Sequence, residues 1–597
     1  MAMQNLILAL SPTSHDCSYC LVDENGNVVI HCELERDIRI KQVKSSPLLY
    51  WLIDSSNDKY TYNISTISLT ACPVNLPLYS VITKVANKPL SNQQLLDIVE
   101  TLTSYSAALG EFSVTNENLE KFRALLENVK HIRIYGHHRC HAAEAWGCHN
   151  VSTITNALII TADGGGWDFD DGGILREAHM SVTTASSNTL NKTRYDWINS
   201  LGLTYLEATS YLGFSVGPPV GSQEGSVMGL AAYGNANNFA SLFSSDNLWV
   251  NTSLQNTDRD SVFKERSICK KTIDLSISQG PETVKADIAA SLQQEYEQRF
   301  NRLIVQEVNN YQRANSCLPA QILLSGGCAL NCAAIGKLTE QFAASTKYKD
   351  VAIHVSLAPY DGGLSLGAAF CAVNDLGRFD RTEFLSPYLG REYSSLEIHN
   401  SIRGHKCTSE ELDYDFIINS LARGGIAAIF RGRSESGRRA LCNRSIIADP
   451  RNPNIRDIIN TKVKHRPLFR PFAPVVLREH VHKWFIVDIE SRYMSHAIQF
   501  RNEVRSVVPS VVHKDGTGRL QTIDYKTNKW MYELLVRWNN LTGVPMLINT
   551  SFNDNEPIVE TPFNAISCFE RTLIDILLFP DVNSMLLRTS LANASHK

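Results

Sequence analysis

Three glycine-rich turns constrain the fold of this chain more than any other feature. They are Asp163-Gly164-Gly165-Gly166, Ser325-Gly326-Gly327 and Asp361-Gly362-Gly363, and each follows an apolar, β-rich run. Glycine lets backbone amides approach phosphate oxygens closely, and a helix that follows such a turn adds its positive end. A tight hairpin uses the same residues, so each turn alone is weak evidence. In this order and at these separations, the turns indicate an α/β domain of two similar halves that clamp a nucleotide.

The chain is long enough to require more than one domain. Its 597 residues exceed what a single hydrophobic core usually supports. Residues 375–413 contain polar turns and the segment SPYLGREYS, and a second α/β unit then begins with GGIAAIFRGR. We therefore predict an N-terminal domain over residues 1–388, a linker over 389–412 and a C-terminal domain over 413–597.

The charge balance argues against polyanionic partners. The net charge is −4 at pH 7, so no global field draws the protein toward nucleic acid or acidic lipid. No apolar run approaches the roughly 18 residues that a membrane span needs, and the N-terminus carries no basic leader. Fourteen cysteines without a repeated paired spacing fit reduced, buried thiols. These features predict a cytoplasmic protein with no nucleic acid and no membrane partner.

Two histidines of the segment HHRCH form a candidate metal site. His137 and His141 stand four residues apart, which on a helix places both imidazoles on one face within reach of one ion. Two histidines do not complete a site, and Asp361 is the candidate oxygen ligand because its turn would direct a carboxylate into an active-site crevice. In the alternative, both histidines make hydrogen bonds at a helix start. The spacing alone leaves the two interpretations open.

Arginines recur in the C-terminal part beside small and apolar residues. They are Arg438, Arg439, Arg444, Arg466, Arg470 and Arg519. Guanidinium groups suit phosphate because their planar fork donates paired hydrogen bonds and stays charged. A solvated surface cluster is the alternative, but the neighbouring Ala, Leu, Ile, Pro and Phe residues favour a phosphate pocket.

The order of ten short blocks resembles the NodU/CmcH family of carbamoyltransferases. The blocks include SHDCSYCLV, ELERDIRIK, GHHRCHAAEA, QEGSVMGLAAYG, LLSGGCALNC, PYDGGLSLGAA, GRSESGRRALCNRSI, FRPFAPVVL, HKDGTGRLQT and LINTSFNDNEPIV. The resemblance implies an α/β fold in which a duplicated ASKHA (actin- and sugar-kinase-like) domain precedes a YrdC-like α/β domain. It also implies that carbamoyl phosphate and ATP give carbamoyl adenylate, whose carbamoyl group passes to a small-molecule hydroxyl.

The resemblance further implies roles for particular residues. His137, His141 and Asp361 match the metal ligands, with iron(II) as the usual ion and another divalent metal as the alternative. His15 matches a general base or carbamoyl-orienting donor, and Lys41 matches a lysine that neutralises developing charge. The residues expected to hold adenosine and phosphate in the first domain are Asp163, Gly164, Gly326, Gly327, Asn331, Gly362 and Gly363. Those expected to bind carbamoyl phosphate and ATP with Mg²⁺ are Arg439, Arg444, Lys464, Arg470, His513, Asp515, Arg519, Asn549 and Ser551.

Several positions depart from the family pattern. Ser226 stands where the family has lysine, and Arg431 where it has glutamine. Arg438 replaces a proline, Cys442 replaces a glycine and Pro467 replaces a glutamate. The ligand and phosphate-binding residue types are retained, so the departures bear on acceptor choice and pocket shape. A composition rich in Asn, Ser, Ile and Lys favours a guanidinium alkaloid acceptor like decarbamoylsaxitoxin, and a homodimer is the assembly considered.

Two other functions use parts of the same pattern. A threonylcarbamoyl-type tRNA-modifying fusion has both folds but should present a basic surface, which the composition lacks. A small-molecule kinase of the ASKHA type explains the glycine turns but leaves the arginine blocks and the histidine pair without a role. A kinase would release ADP, whereas the predicted carbamoyltransferase would release AMP and pyrophosphate.

Overall fold

The protein is described from a computed structural model of the chain. It describes residues 5–588, except for 12–14, 40, 42–50, 52–53, 55–59, 61–62, 72–120, 122–123, 126–127, 150–155, 187–188, 217–220, 253–257, 282, 380–383 and 406–407. Within these residues the chain is a mixed α/β protein, as predicted.

The first sheet begins with two β-hairpins. Its elements are β1 (Leu6–Ser11), β2 (Ser18–Asp23), β3 (Val28–Glu33), the short helix α1 (Leu34–Ile38), β4 (Ile64–Thr70) and β5 (His131–Tyr135). The described strands lie in the order β3-β2-β1-β4-β5. The first three strands pair antiparallel, while β4 and β5 continue the sheet in parallel from β1.

The second sheet repeats this arrangement. Its region contains α2 (His137–Gly147), β6 (Ala157–Phe169), β7 (Leu175–Ser186), β8 (Thr189–Leu190), β9 (Arg194–Asp196), α3 (Leu201–Tyr211), β10 (Ser215–Val216), β11 (Gly221–Ser222), α4 (Glu224–Ala231), α5 (Ala240–Phe243), α6 (Arg259–Gln279), α7 (Val284–Asn315), β12 (Gln321–Ser325), α8 (Cys332–Ala344), β13 (Ala352–Val355) and α9 (Leu364–Asp375). The described order β8-β7-β6-β12-β13 again joins two antiparallel pairs to two parallel ones. This repeat confirms the predicted duplicated ASKHA-type domain.

Helices α2 and α9 pack against each other between the two sheets. A Cβ atom on Gly367 of α9 would lie 2.0 Å from the carbonyl oxygen of Cys140 in α2, and one on Gly147 would lie 2.2 Å from the ring of Phe370. Glycine at both places therefore lets the helix backbones approach closely. The N-terminal ends of both helices thereby face the same cleft.

The near-helical spacing of Ile288, Leu292, Tyr296 and Phe300 predicts a long amphipathic helix, and the structure has this helix as α7. These four side chains are buried against the second sheet, as helical periodicity requires. No helix in the described part of the chain, α7 included, is long and apolar enough to cross a bilayer.

The C-terminal domain is built on one sheet of nine described strands. Its elements are α10 (Ser395–Arg403), β14 (Thr408–Glu411), α11 (Tyr414–Ala422), β15 (Ala427–Phe430), β16 (Arg444–Ala448), α12 (Ile455–Lys462), β17 (Ala473–Leu477), α13 (Val481–Trp484), β18 (His496–Gln499), β19 (Thr517–Ile523), α14 (Lys529–Thr542), β20 (Met546–Ser551), α15 (Pro562–Arg571), β21 (Ile576–Phe579) and β22 (Ser584–Leu587). The strand order is β14-β22-β21-β15-β16-β20-β17-β19-β18. The predicted linker, 389–412, therefore includes an edge strand of this sheet, and the domain boundaries stay a prediction.

The two domains meet where α8 lies across β18. A Cβ atom on Gly336 would lie 1.8 Å from the carbonyl oxygen of Ala497, so the helix rests directly on the strand backbone. Beside this contact is a cavity of about 30 Å³, enough space for one or two water molecules. His149, His354 and His496 line it.

Candidate active site

The predicted metal ligands meet at the N-terminus of α2. Nε2 of His137 lies 3.1 Å from Nε2 of His141, and Oδ1 of Asp361 lies 3.5 Å and 3.7 Å from these two atoms. Oδ2 of Asp163 lies 3.3 Å from Nε2 of His141. One ligand atom from each of the four residues falls within 4.8 Å of all the others. We call these four residues the metal-ligand cluster.

The electrostatics of the metal-ligand cluster favour a cation. Burial opposes charge on both histidines, but the carboxylates of Asp163 and Asp361 raise the pKa of His141 to about 9. Burial lowers the pKa of His137 to about 4, which leaves its imidazole neutral at pH 7 with a lone pair to donate. Two imidazoles and two carboxylates are a common donor set for a divalent transition metal. The residues present therefore fit the predicted metal.

The carboxylate of Asp163 is held by two of the glycine turns. Asp163 accepts hydrogen bonds of 2.6 Å from the amides of Gly164 and Gly327. Gly326, between Ser325 and Gly327, has a φ of +86°, and a Cβ atom there would lie 2.1 Å from the carbonyl oxygen of Ala162. Only glycine adopts this backbone without strain. The DGGG and SGG turns thus fix one ligand of the cluster.

Two residues of β6, Gly166 and Asp168, position His137 and the first turn of α2. A Cβ atom on Gly166 would lie 2.2 Å from the ring of His137, so the absence of a side chain makes room for that imidazole. Asp168 accepts hydrogen bonds from the backbone amide of His138 at 3.0 Å and from that of Arg139 at 3.3 Å. Because Asp168 sits on β6, it ties the first turn of α2 to the second sheet.

His15 borders the metal-ligand cluster. Its Nε2 lies 3.8 Å from Oδ2 of Asp361, and its Nδ1 lies 2.9 Å from Oδ2 of Asp16. Partial burial lowers the pKa of His15, but the hydrogen bond with Asp16 and the charge of Asp361 outweigh it and raise the pKa to about 9. Half of the side chain is exposed, so His15 faces the open part of the site.

A group of cations forms a second site at the domain boundary. We call Arg439, Arg466, Arg470, Arg519 and Lys41 the cation cluster. Burial and the charge of Arg519 lower the pKa of Arg439 to about 9 and that of Arg470 to about 10. Burial and the charges of Arg470 and Arg466 lower the pKa of Lys41. Lys41, from the N-terminal domain, therefore faces the arginines of the C-terminal domain.

The arginines of the cation cluster lie close to one another. Among the described residues, the strongest charges acting on Arg439 and Arg470 are those of other arginines, whereas the carboxylates of Glu35 and Asp554 act on Lys41. Buried arginines that repel one another are stabilised by binding an anion. Cys332, whose charge also acts on Arg439, is the first residue of α8, so this anion pocket lies next to the SGG turn of the N-terminal domain.

Four further predicted residues border the cation cluster: Lys464, Ser551, His513 and Asn549. Nζ of Lys464 donates to Ser551 Oγ at 3.1 Å and to Asn553 Oδ1 at 2.6 Å. Burial, followed by the charge of Arg466, lowers its pKa well below the ordinary value. Nε2 of His513 and Oδ1 of Asn549 are buried and have no hydrogen-bond partner among the described residues. These two atoms can therefore bind a ligand or water.

The structure places three other predicted residues in supporting roles. Arg444 is fully buried, lies 3.7 Å from the centre of the Phe430 ring and donates to backbone carbonyls, away from the cation cluster. Asp515 accepts from the amide and hydroxyl of Thr517 in a turn. Asn331 caps α8.

The third turn is shaped by close contacts. The Gly362 carbonyl lies 2.9 Å from Nε2 of His31, and a Cβ atom on Gly363 would lie 2.1 Å from the carbonyl oxygen of Ala358. Both glycines thus shape the DGG turn that carries Asp361.

The sequence places Asp163 among the residues predicted to bind nucleotide, not among the predicted metal ligands. The structure brings its carboxylate into the metal-ligand cluster. A signal was present, because Asp163 and Asp361 each begin a glycine turn at a strand of the second sheet: Asp163 lies where the pairing of β6 with β7 becomes irregular, and Asp361 follows β13. Since β6, β12 and β13 run parallel, both turns lie at the same edge of that sheet.

Fold and site together define a two-domain α/β protein with a metal-ligand cluster beside an anion pocket. The family description "Carbamoyltransferase N-terminus" matches residues 6–370, and "Carbamoyltransferase C-terminus" matches residues 418–585. The chain belongs to this carbamoyltransferase family, of the NodU/CmcH type, and is therefore an enzyme.

Relatives span much of the chain. Nodulation protein NolO of Bradyrhizobium diazoefficiens is 32% identical over 74% of this chain and 77% of its own length. The 3'-hydroxymethylcephem-O-carbamoyltransferase of Amycolatopsis lactamdurans is 34% identical over 39% of this chain and 42% of its own. Among solved structures, HypF of T. kodakarensis is similar with a TM-score of 0.31 and 12% identity, over 64% of this chain and 49% of that one.

Proposed function

We propose that this enzyme is a cytoplasmic, ATP-dependent O-carbamoyltransferase that acts on a small-molecule hydroxyl rather than on nucleic acid. One observation carries the proposal: two adjacent residues of one loop face the two sites. Arg438 contacts Asp16 beside the metal-ligand cluster, and Arg439 belongs to the cation cluster. The two sites are therefore close together, and in this proposal an intermediate made at the second site passes to the first within the protein. The printed name of the cephem relative, an O-carbamoyltransferase, supports the reaction class.

The cation cluster suits the activation step. Water releases phosphate from carbamoyl phosphate, and an oxygen of the resulting carbamate attacks the α-phosphorus of ATP. The bond between the α- and β-phosphates breaks, and pyrophosphate leaves with Mg²⁺. Arg439, Arg470 and Arg519 remain charged at neutral pH and donate to the phosphate oxygens. Carbamate is a poor electrophile, and enclosure protects the activated carbamoyl adenylate from water.

The metal-ligand cluster suits the transfer step. The acceptor hydroxyl attacks the carbamoyl carbon, the bond from that carbon to the AMP phosphate breaks, and the hydroxyl proton passes to phosphate or water. The raised pKa of His15 supports a protonated donor that orients the carbamoyl oxygen, rather than a general base. Held by His137, His141, Asp163 and Asp361, a divalent ion, proposed to be iron(II), would stabilise the negative charge on departing AMP.

For the acceptor we propose a guanidinium alkaloid alcohol similar to decarbamoylsaxitoxin. Guanidinium groups bind carboxylates through paired hydrogen bonds. Glu35 and Glu224 carry charges that act on Arg438 at the edge of the transfer site, so this edge is rich in carboxylates. A screen of candidate alcohols by mass spectrometry identifies the acceptor as the one that gains a single carbamoyl group.

One assay separates the candidate functions. The purified protein is incubated with ATP, with and without carbamoyl phosphate, and the nucleotide products are resolved. We expect AMP and pyrophosphate only when carbamoyl phosphate is present. ADP as the product supports a kinase instead, and pyrophosphate release that depends on threonine and bicarbonate supports the tRNA-modifying function. The Arg470→Gln variant, which removes one member of the cation cluster, should lose the carbamoyl-phosphate-dependent signal.

A further inference from the structure

We call the metal-ligand cluster together with His15 the transfer site. One arginine of the C-terminal domain, Arg438, contacts residues on both sides of it. Nη2 of Arg438 lies 2.6 Å from Oδ2 of Asp16, the same oxygen that lies 2.9 Å from Nδ1 of His15. The guanidinium also lies 4.4 Å from the ring centre of Tyr360, the residue before the ligand Asp361. A single side chain thus touches the immediate neighbours of His15 and of Asp361.

The N-terminal domain fixes the backbone of the segment that carries Arg438. The amide of Gly437 donates to Oε1 of Glu33, and its carbonyl accepts from Arg36 at 2.7 Å. The φ of Gly437 is +90°, and a Cβ atom there would lie 2.8 Å from the carbonyl oxygen of Leu357. Glycine is therefore required for this close passage, and Arg438 starts from a well-defined position.

Both targets of Arg438 are themselves restrained. Asp16 is buried and has a φ of +54°, in the left-handed region that Asp adopts more often than most residues. The hydroxyl of Tyr360 donates to Oε2 of Glu33. Arg438 therefore forms an ion pair with Asp16, next to His15, and a stacking contact with Tyr360, next to Asp361.

We propose that Arg438 is a positioning residue, which reaches across the domain boundary to Asp16 and Tyr360 and thereby holds His15 against Asp361. This inference rests on the proposed function, since His15 is taken to act in the transfer step. Because Arg439 lies in the cation cluster, the same short loop links the geometry of the activation site to that of the transfer site.

The first test separates the two half-reactions in the full-length enzyme. Arg438→Gln should leave the single-turnover burst of pyrophosphate within about twofold of the unchanged enzyme and lower carbamoyl transfer by about 10- to 100-fold, because small misplacements of a reacting group have effects of this size. Arg438→Lys, which restores the charge, should recover part of the loss. Equal loss in both half-reactions overturns the proposal.

A matched control is available in the same segment. Arg433 also crosses the boundary, with hydrogen bonds of 2.6 Å to the carbonyl oxygens of Val29 and Leu389, but does not touch Asp16. Arg433→Gln weakens the interface and should leave the transfer rate within about twofold. If Arg433→Gln lowers transfer as much as Arg438→Gln does, the effect is general loosening and the proposal is wrong.

A second readout does not depend on activity. In protein labelled with ¹³C-histidine, the His15 resonance is assigned as the one lost in the His15→Gln variant. Arg438→Gln should shift or broaden this resonance, while Arg433→Gln should not. An unchanged resonance in Arg438→Gln refutes the positioning role. A protein that shows the expected resonance change but releases no pyrophosphate refutes the proposed function and leaves the contact established.

Discussion

The carboxylate of Asp163 lies 3.3 Å from Nε2 of His141, which joins the first glycine turn to the histidine pair. Asp163→Ala should lower the affinity for a divalent metal by at least about 10- to 100-fold, because the loss of an outer-shell partner alone has an effect of this size and here one of four ligands is lost. The measurement is the bound metal after dialysis against a series of free metal concentrations.

The control for this prediction is Asp171→Asn. Asp171 lies on the loop of the same β6–β7 hairpin and is 85% exposed in an ion pair with Lys192, so its loss should leave metal binding unchanged. Equal metal content in Asp163→Ala and the unchanged protein contradicts the assignment of Asp163 as a ligand.

Arg470→Gln should stabilise the free protein while weakening anion binding. The lowered pKa of Arg470, caused by burial and by Arg519, means that its charge is unfavourable in the native state. After allowance for solvent screening, removal should raise the free energy of unfolding by about 1 kcal/mol. The affinity for pyrophosphate, measured by calorimetry, should fall at least about tenfold.

Arg478→Gln provides the comparison for that result. Arg478 forms a solvent-accessible ion pair with Asp488. Its loss should change neither the free energy of unfolding nor the free energy of pyrophosphate binding by more than about 0.5 kcal/mol. A destabilised Arg470→Gln variant would show that the cation cluster is not electrostatically strained.

His496 should make the protein sensitive to acid. Burial lowers its pKa from 6.5 to about 4, so between these pH values the unfolded chain binds a proton that the native protein does not. The native state therefore loses stability as the pH falls below 6.5, by about 2 kcal/mol at pH 5. We expect urea unfolding to show that the free energy of unfolding of His496→Gln falls by about 2 kcal/mol less between pH 7 and pH 5 than that of the unchanged protein.

An exposed histidine serves as the reference for the acid effect. His399 lies on the surface of α10, so His399→Gln should retain the full pH dependence of the unchanged protein. If His496→Gln and His399→Gln lose stability equally between pH 7 and pH 5, the buried histidine does not carry the effect.

Two glycine substitutions should have opposite signs. Gly326→Ala places a methyl group 2.1 Å from a carbonyl oxygen at a φ of +86°, which should cost about 2 to 4 kcal/mol of unfolding free energy. Gly225, within α4, has no neighbour within 4 Å of its virtual Cβ atom, so Gly225→Ala should add about 0.5 to 1 kcal/mol. Chemical denaturation of both variants measures the change in the free energy of unfolding. If both substitutions change it in the same direction, the backbone conformation and close contact described for Gly326 are wrong.

Much of the N-terminal domain could be predicted because its signals are local. The HHRCH spacing, the apolar strands and the three glycine turns each report on a few consecutive residues, and the structure confirms the helix over His137–Gly147 and the strand over Ala157–Phe169. The proximity of His137, His141 and Asp361 could also be predicted, because these segments end at one cleft of a duplicated fold.

Other features depend on contacts between distant segments and left no local signal. Arg444 has the same kind of neighbours in sequence as Arg439, but β16 directs it toward Phe430, away from the cation cluster. The contact of Arg438 with Asp16 joins residues 422 positions apart and depends on how the domains dock. The domain affiliation of residues 389–412 likewise depended on the pairing of β14 with β22.

The contact of Gly336 with the Ala497 backbone bears on how a reactive intermediate travels. The helix and strand backbones lie in direct contact here, and no side chain fits between them. In the proposed reaction we therefore expect the activated carbamoyl group to travel as part of the nucleotide, while the two domains keep their relative position.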